Sequence, residues 1–237
     1  RGRHAPPWVL HFMWARFRSR ARGPGGVNVL SLCSGVGGLD LGIHLALPDA
    51  RTVCYVEVEA FAAAIVRSRM DDAALAPAPI CSDLRTFDGR AWAGSVDLVC
   101  AGYPCQPFSL AGGRAGEDDP RHLWPHVARV IGECGAAWTF LENVPGHLSL
   151  GFDTVARELH GMGFSVAAGI FSAAEVGAPH RRERLFILAH RDPGPLAHFD
   201  GDGHGLRELS ADGRQGESQS CAPDRGWAVA DTEGGGL

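Results

Sequence analysis

Val27-Asn28-Val29-Leu30-Ser31-Leu32-Cys33-Ser34-Gly35-Val36-Gly37-Gly38-Leu39-Asp40 is where a regular pattern first takes hold in this chain. It reads as a strand, a glycine turn and the start of a helix. Glycines let the backbone come close to a ligand, and a helix N-terminus offers unpaired N–H groups. The spacing is Gly-x-Gly-Gly, not the Gly-x-Gly-x-x-Gly of a dinucleotide site. Asp40 stands where the third glycine would fall, which argues against a pyrophosphate ligand. A plain tight turn is the ordinary alternative.

Working outward, short apolar runs alternate with helical stretches as far as His190. The pattern predicts strands at Val27–Cys33, Thr52–Glu57, Val96–Ala101, Thr139–Glu142, Val166–Phe171 and Leu185–Ala189, with a further short one at Ile80–Ser82. Helices are expected at Leu39–Leu47, Ala60–Met70, Leu123–Cys134 and Thr154–Met162, Pro125 being tolerated in the first turn of the third. This alternation predicts an α/β fold, a doubly wound and mostly parallel sheet covered on both faces. Glu57 closes the second strand about 20 residues after the glycines, where an acid can accept from ribose hydroxyls. Asp83 follows the third strand and can accept from an adenine amino group. Taken singly, each is as readily a capping or solvated carboxylate. Together with the glycine turn they describe a site for an adenosine without a demanding phosphate, and S-adenosylmethionine fits it.

The run from Asp97 to Ser109, DLVCAGYPCQPFS, carries the reactive chemistry. A buried strand delivers a thiol to its carboxyl end, where open α/β sheets bind their ligands. Pro104 fixes its own φ and biases Tyr103 toward an extended backbone, so Cys105 leaves the strand along a defined path. A structural cysteine at a strand end is the plain alternative. Cys100 lies five residues earlier, a spacing unlike that of zinc pairs, and no Cys-x-x-Cys occurs in the chain.

Composition bounds the rest. The 237 residues suffice for one good core, and no apolar run approaches the roughly 20 residues that span a bilayer. Seven irregularly spaced cysteines fit reduced thiols better than a disulfide framework. All 22 basic residues are arginine, so any anion contact falls to guanidinium groups or backbone amides. The net charge of −5 is carried by residues 190–237, with four arginines against nine acids, while the other 189 residues balance at 18 and 18. Three regions are expected: a flexible basic extension over 1–26, a catalytic domain over 27–190, and a Gly/Asp-rich, disordered stretch over 191–237.

In order along Val29 to Leu188, LCSGVGGLDLG, the Glu57 strand end, Asp83, AGYPCQPFS, Glu142-Asn143-Val144 and His180-Arg181-Arg182-Glu183-Arg184 together resemble the cytosine-C5 DNA methyltransferases. The resemblance covers about two thirds of the chain. It implies a Rossmann-like methyltransferase sheet with S-adenosylmethionine as cofactor. Cys33, Ser34, Gly35, Val36, Gly37, Gly38, Glu57, Val58, Asp83, Leu84 and Pro104 would bind the cofactor. Cys105 would be the nucleophile, Glu142 would hydrogen-bond N3 of the base, and Arg184 would contact O2. Arg182 would support the catalytic segment or a phosphate. Asn143, Gln106 and Ser109 would support the loop. The chemistry needs such a set because C5 of cytosine is a poor nucleophile until a thiolate adds at C6. The target atoms are hidden in a duplex, so the base must be flipped out.

The chain departs from the family at three places: Cys33 and Val58 stand where aromatics are common, and His180 where glutamine is frequent. The resemblance further implies double-stranded DNA as partner, a cognate restriction endonuclease, no membrane and no metal, in a bacterial or phage-encoded cytoplasmic protein. Beyond Leu188 the family continues with a target-recognition domain and a final Asn-containing motif that completes the cofactor pocket. Neither is present here, which points to a fragment. A transfer-RNA cytosine methyltransferase would share the same catalytic set. An inactive truncated domain that binds cofactor or DNA is the non-enzymatic alternative. An adenine amino-methyltransferase would need an Asp/Asn-Pro-Pro-aromatic motif, which is absent, and a nicotinamide oxidoreductase leaves Pro-Cys-Gln unexplained.

Overall fold

A computed structural model describes residues 26–104 and 123–191. The expected basic extension, the Gly/Asp-rich stretch, Cys105, Gln106 and Ser109 lie outside those residues. Seven strands form one sheet: β1 (Val27–Leu32), β2 (Ala50–Val56), β3 (Ile80–Cys81), β4 (Leu98–Ala101), β5 (Trp138–Asn143), β6 (Ser165–Ser172) and β7 (Glu183–His190). The helices are α1 (Gly38–Ala46), α2 (Ala60–Asp71), α3 (Trp124–Cys134), α4 (His147–Leu150) and α5 (Phe152–Gly161). Every predicted element is found within a few residues of its expected bounds.

The strand order is β3-β2-β1-β4-β5-β7-β6. Strands β1 to β5 pair in parallel, whereas β7 runs antiparallel between β5 and β6, with Trp138 opposite His190 and Asn143 opposite Leu185. The chain moves outward from β1 to β3 and then crosses to β4 on the other side of β1. That reversal opens a crevice at the carboxyl ends of β1 and β4, the usual ligand position in such sheets.

Period-2 alternation along β1 divides the core. Leu30 and Leu32 face one layer, with Val127, Ile131, Val155 and Leu159 from α3 and α5. Val27 and Val29 face the other, with Ile43 and Leu47 at α1 and its end, and Trp138 and Leu188 from the sheet. Burial on both faces is why β1 reads as an unbroken apolar run. α3 begins with Pro125 in its first turn and stops at Gly135, whose φ of 70° lets the chain leave the helix. Among the described residues, no helix is long and apolar enough to cross a membrane. Cys33, Cys54, Cys100 and Cys134 are free thiols.

The turn after β1 depends on Gly37. Its φ of 78° lies in the left-handed region, and a Cβ there would overlap the Leu75 Cδ1 methyl. Gly37→Ala combines backbone strain with that overlap. It is expected to destabilise the fold by about 1–3 kcal/mol, read from urea unfolding midpoints at constant slope.

Candidate active site

A cavity of about 910 Å3 occupies the crevice. The loop after β1 supplies Cys33, Ser34, Gly35 and Val36, and the first turn of α1 supplies Gly38, Leu39 and Asp40. Gly102 closes it beyond β4, Glu142 stands at the end of β5, and Arg182 enters just before β7. Ala46, Phe140, Phe186 and Leu188 add apolar lining.

Two carboxylates hold the glycine loop. Asp40 is 3% exposed and sits in the first turn of α1. It accepts from Ser31 Oγ of β1 and Thr52 Oγ1 of β2, both at 2.8 Å. Burial pushes its carboxyl up, while the hydrogen bonds from Ser31, Thr52 and its own backbone amide oppose the rise. Glu57 secures the other side, its Oε2 accepting from Gly35 N at 2.6 Å and its Oε1 from Glu59 N at 2.8 Å. Ser34 Oγ donates back to Ser31 O at 3.2 Å. Cys33 takes a φ of 49° and lines the cavity, but burial, reinforced by the Glu57 charge, pushes its thiol up to about 12. It is therefore a protonated thiol near neutral pH and a poor nucleophile.

The expected cofactor residues divide into two groups. Cys33, Ser34, Gly35, Val36 and Gly38 line the cavity, whereas Gly37 is turned toward Leu75. Glu57, Val58, Asp83, Leu84 and Pro104 lie outside its lining. Val58 is exposed. Asp83 Oδ1 accepts from the amide and Nε of Arg85 at 2.9 and 3.0 Å. Partial burial would raise its carboxyl, but the hydrogen bonds and charge of Arg85 bring it below the ordinary range. The segment behind Asp83 is held by Arg129 of α3, which donates to the carbonyls of Leu84 and Phe87 at 2.9 Å and pairs with Glu133. No motif marks Arg129 in the sequence.

At the catalytic end, Arg184 Nε lies 2.6 Å from Glu142 Oε1, and both side chains are about three-quarters buried. Glu175 closes a capping box with Ser172, and Arg184 Nη1 also donates to the carbonyl of Glu183 at 2.8 Å. Arg182 is exposed on the described surface, with its amide donating to His180 Nδ1 at 3.4 Å. Asn143 Nδ2 donates to the Tyr103 carbonyl at 3.1 Å, directly before Pro104. His147 was not anticipated. It is buried, its Nε2 is 3.0 Å from the Tyr103 hydroxyl, and burial pushes its pKa down to about 4. Among the described residues there is no group of three or more His, Cys, Asp or Glu that could hold a metal ion.

These motifs on this sheet have counterparts in known proteins. The C-5 cytosine-specific DNA methylase family is matched over residues 27–207. The type II methyltransferase M.NgoMIV of Neisseria gonorrhoeae is 32% identical over 164 residues, which cover 68% of this chain and 50% of that protein. M.AquIA, a type II methyltransferase of Picosynechococcus, is 31% identical over 180 residues, covering 69% of this chain and 72% of that one. Among solved structures, a putative DNA modification methyltransferase encoded within an E. coli prophage matches at a TM-score of 0.56 and 25% identity, covering 70% of this chain and 47% of the other. The S. pombe Dnmt2 methyltransferase, at TM-score 0.59 and 24% identity, covers 70% and 51% and supports the fold. The chain belongs to the C-5 cytosine-specific DNA methylase family. It spans about half the length of M.NgoMIV.

The low pKa of His147 has a measurable consequence. An unfolded histidine titrates near 6.5, so between pH 6.5 and about 4 the unfolded chain binds more protons than the folded one at this site. Its contribution to stability is complete above pH 6.5 and is lost as pH falls through that window. The raised carboxyl of Asp40 acts in the opposite sense, favouring the fold at low pH. Comparing unfolding free energies at pH 7 and 4.5 should therefore show a smaller loss in His147→Gln than in the parent. An equal loss assigns the acid sensitivity elsewhere.

Proposed function

We propose that this chain is the catalytic part of a DNA cytosine-C5 methyltransferase that uses S-adenosylmethionine. The observation carrying the reading is the convergence of Glu142 and the glycine loop on one cavity, with Arg184 paired to Glu142 and Asn143 holding the Tyr103 carbonyl just before Pro104.

The cavity suits the cofactor. At Gly35 and Gly38 an added Cβ would meet nothing within 4 Å, so the loop leaves open space on its cavity side. Gly35, Val36 and Gly38 at the start of α1 would hold it, with Ser34 beneath. Glu57 fixes the loop through Gly35 and has lone pairs left for a ribose hydroxyl. Bound there, the cofactor supplies an electrophilic methyl group. The apolar lining is read as the seat of the segment with which the family closes its pocket.

Among this chain's residues, Cys105 is assigned addition to C6 of a flipped cytosine, forming the sulfur–carbon bond and shifting electron density toward N3. Glu142 is assigned the hydrogen bond at N3 and Arg184 the contact at O2, so their mutual ion pair opens toward the base when it enters. Addition makes C5 electron-rich. Once C5 carries the methyl group, loss of its proton lets the sulfur leave. No residue is assigned as the base for that proton.

Two variants test the assignment, using DNA that carries 5-fluorocytosine, whose fluorine cannot leave as a proton. Cys105→Ser is expected to abolish the covalent adduct, because a serine hydroxyl is almost wholly un-ionised near neutral pH. A parent-like adduct yield in this variant removes Cys105 from the nucleophile role.

For Glu142→Gln the fold and cofactor affinity should persist while methyl transfer slows by at least about 100-fold, the low end for general-acid assistance. Single-turnover kinetics at the parent rate would assign N3 to another group. Methyl incorporation into transfer RNA but not into DNA would overturn the substrate class.

A further inference from the structure

One planar peptide joins α3 to an acid at the edge of the sheet. The unit between Leu84 and Arg85 presents its carbonyl to Arg129 Nη2 at 2.9 Å and its N–H to Asp83 Oδ1, also at 2.9 Å. The same guanidinium donates through Nη1 to the Phe87 carbonyl at 2.9 Å, so it serves both ends of the turn that follows Asp83. Glu133, one helical turn further on, accepts from Nη1 with its two oxygens at 2.9 and 2.8 Å. Its Oε2 also accepts from Gly89 N at 2.8 Å, where a short 3-10 helix begins. Space there is tight. A Cβ on Gly89 would stand 2.9 Å from Glu133 Cβ and 3.1 Å from the Val130 carbonyl oxygen.

We propose that Arg129 is a positioning residue for base recognition: through the Leu84–Arg85 peptide it sets the direction of the Asp83 carboxylate, and so the preference of the cofactor site for a 6-aminopurine. The inference rests on the reading of the cofactor as S-adenosylmethionine and of Asp83 as the acceptor for its adenine amino group. Asp83 follows β3, and the Glu57 amide donates to the Cys81 carbonyl at 2.8 Å, so the two acids stand on adjacent strand ends. The amide and Nε of Arg85 both donate to Asp83 Oδ1, and the ligand amino group is assigned to Oδ2. Arg129 lies outside the cavity lining, and its effect passes through the peptide.

A trans peptide is planar with its C=O and N–H on opposite sides, so fixing one group fixes the other. Leu84 and Phe87, each 5% exposed, already seat the turn in the core. Burial sets where a turn sits, but its central peptide can still reverse between turn types while the flanking side chains stay in place. Reversal here would withdraw the Arg85 N–H from Asp83 and point a carbonyl at that carboxylate. Any donor would satisfy the turn carbonyls, which are costly to leave unpaired. What arginine adds is a rigid fork that holds two of them at once on the α3 side.

The test measures, by calorimetry on the 237-residue chain, affinity for S-adenosylhomocysteine and for S-inosylhomocysteine, in which a carbonyl oxygen replaces the amino group. The parent should prefer the adenosyl compound by roughly tenfold or more, as expected for loss of a hydrogen bond to a charged group. Asp83→Ala should bring that ratio below about threefold by removing the acceptor. Arg129→Gln should lower the ratio as far, while affinity for the inosyl compound stays within about threefold of the parent value. Gly89→Ala displaces Glu133 without removing a charge, should lower the ratio in the same way, and carries the test if Arg129→Gln does not fold. Adding Arg129→Gln to Asp83→Ala should leave the ratio unchanged, because both act through one acceptor. A parent-like ratio in folded Arg129→Gln or Gly89→Ala overturns the proposal. So does an equal loss of affinity for both compounds, which is the mark of a purely structural clamp. A parent-like ratio in Asp83→Ala instead fails the adenine assignment, and the proposal with it. If the parent binds neither compound, the cofactor reading itself fails and the proposal falls with it.

Discussion

The buried carboxylate of Asp40 is the constraint on which the site is built. It takes hydrogen bonds from the hydroxyls of two adjacent strands, Ser31 and Thr52, and so fixes the first turn of α1 against the sheet centre. Removing a carboxylate from water is unfavourable, and the upward displacement of its pKa records that cost. The two hydroxyls offset part of it and convert the remainder into position. With α1 tied down, the turn from Cys33 to Gly37 has a fixed exit, and Glu57 fixes its middle through the Gly35 amide. A loop of small residues, which has little packing of its own, is thereby held open at a defined place.

The catalytic end follows a similar rule with a different partner. Glu142 and Arg184 arrive on neighbouring strands that run in opposite directions, and each satisfies the other. Two charged side chains at the edge of a cavity are tolerable because they are paired and hydrogen-bonded. A ligand that offers an acceptor to Arg184, and a ring nitrogen to which Glu142 can donate once it has taken up a proton, can replace that pairing. With no lysine in the chain, the cation here is a planar guanidinium, well suited to a planar ring edge.

Much of this was legible in the sequence. The strands and helices were placed because short apolar runs and 3.6-residue periodicity report burial directly, and the glycine turn and the strand-end acids fall where parallel sheets expose their ligands. What was hidden depends on long-range pairing. The antiparallel insertion of β7 between β5 and β6 leaves no local mark, and with it the meeting of Arg184 with Glu142. Asp40 was legible as a departure from a glycine pattern but not as a buried anchor. A polar residue on the inward face of an otherwise apolar helix was the available signal. His147 and Arg129 carry no spacing signature, because each serves partners some 40 residues away.

The direction of β7 also shapes everything beyond it. Arg182 lines the cavity just before this strand, and eight residues later the chain stands at His190, opposite Trp138 where β5 begins. Residue 191 therefore leaves from the floor of the sheet, about 25 Å below the cavity at the carboxyl ends of the parallel strands. Any downstream segment that contributes to recognition must climb the full height of the molecule, which takes roughly eight extended residues or about 17 helical ones. On the proposed function, a downstream segment that reads the target would be separated from the chemistry by the height of the sheet, so its length could vary without disturbing the strands.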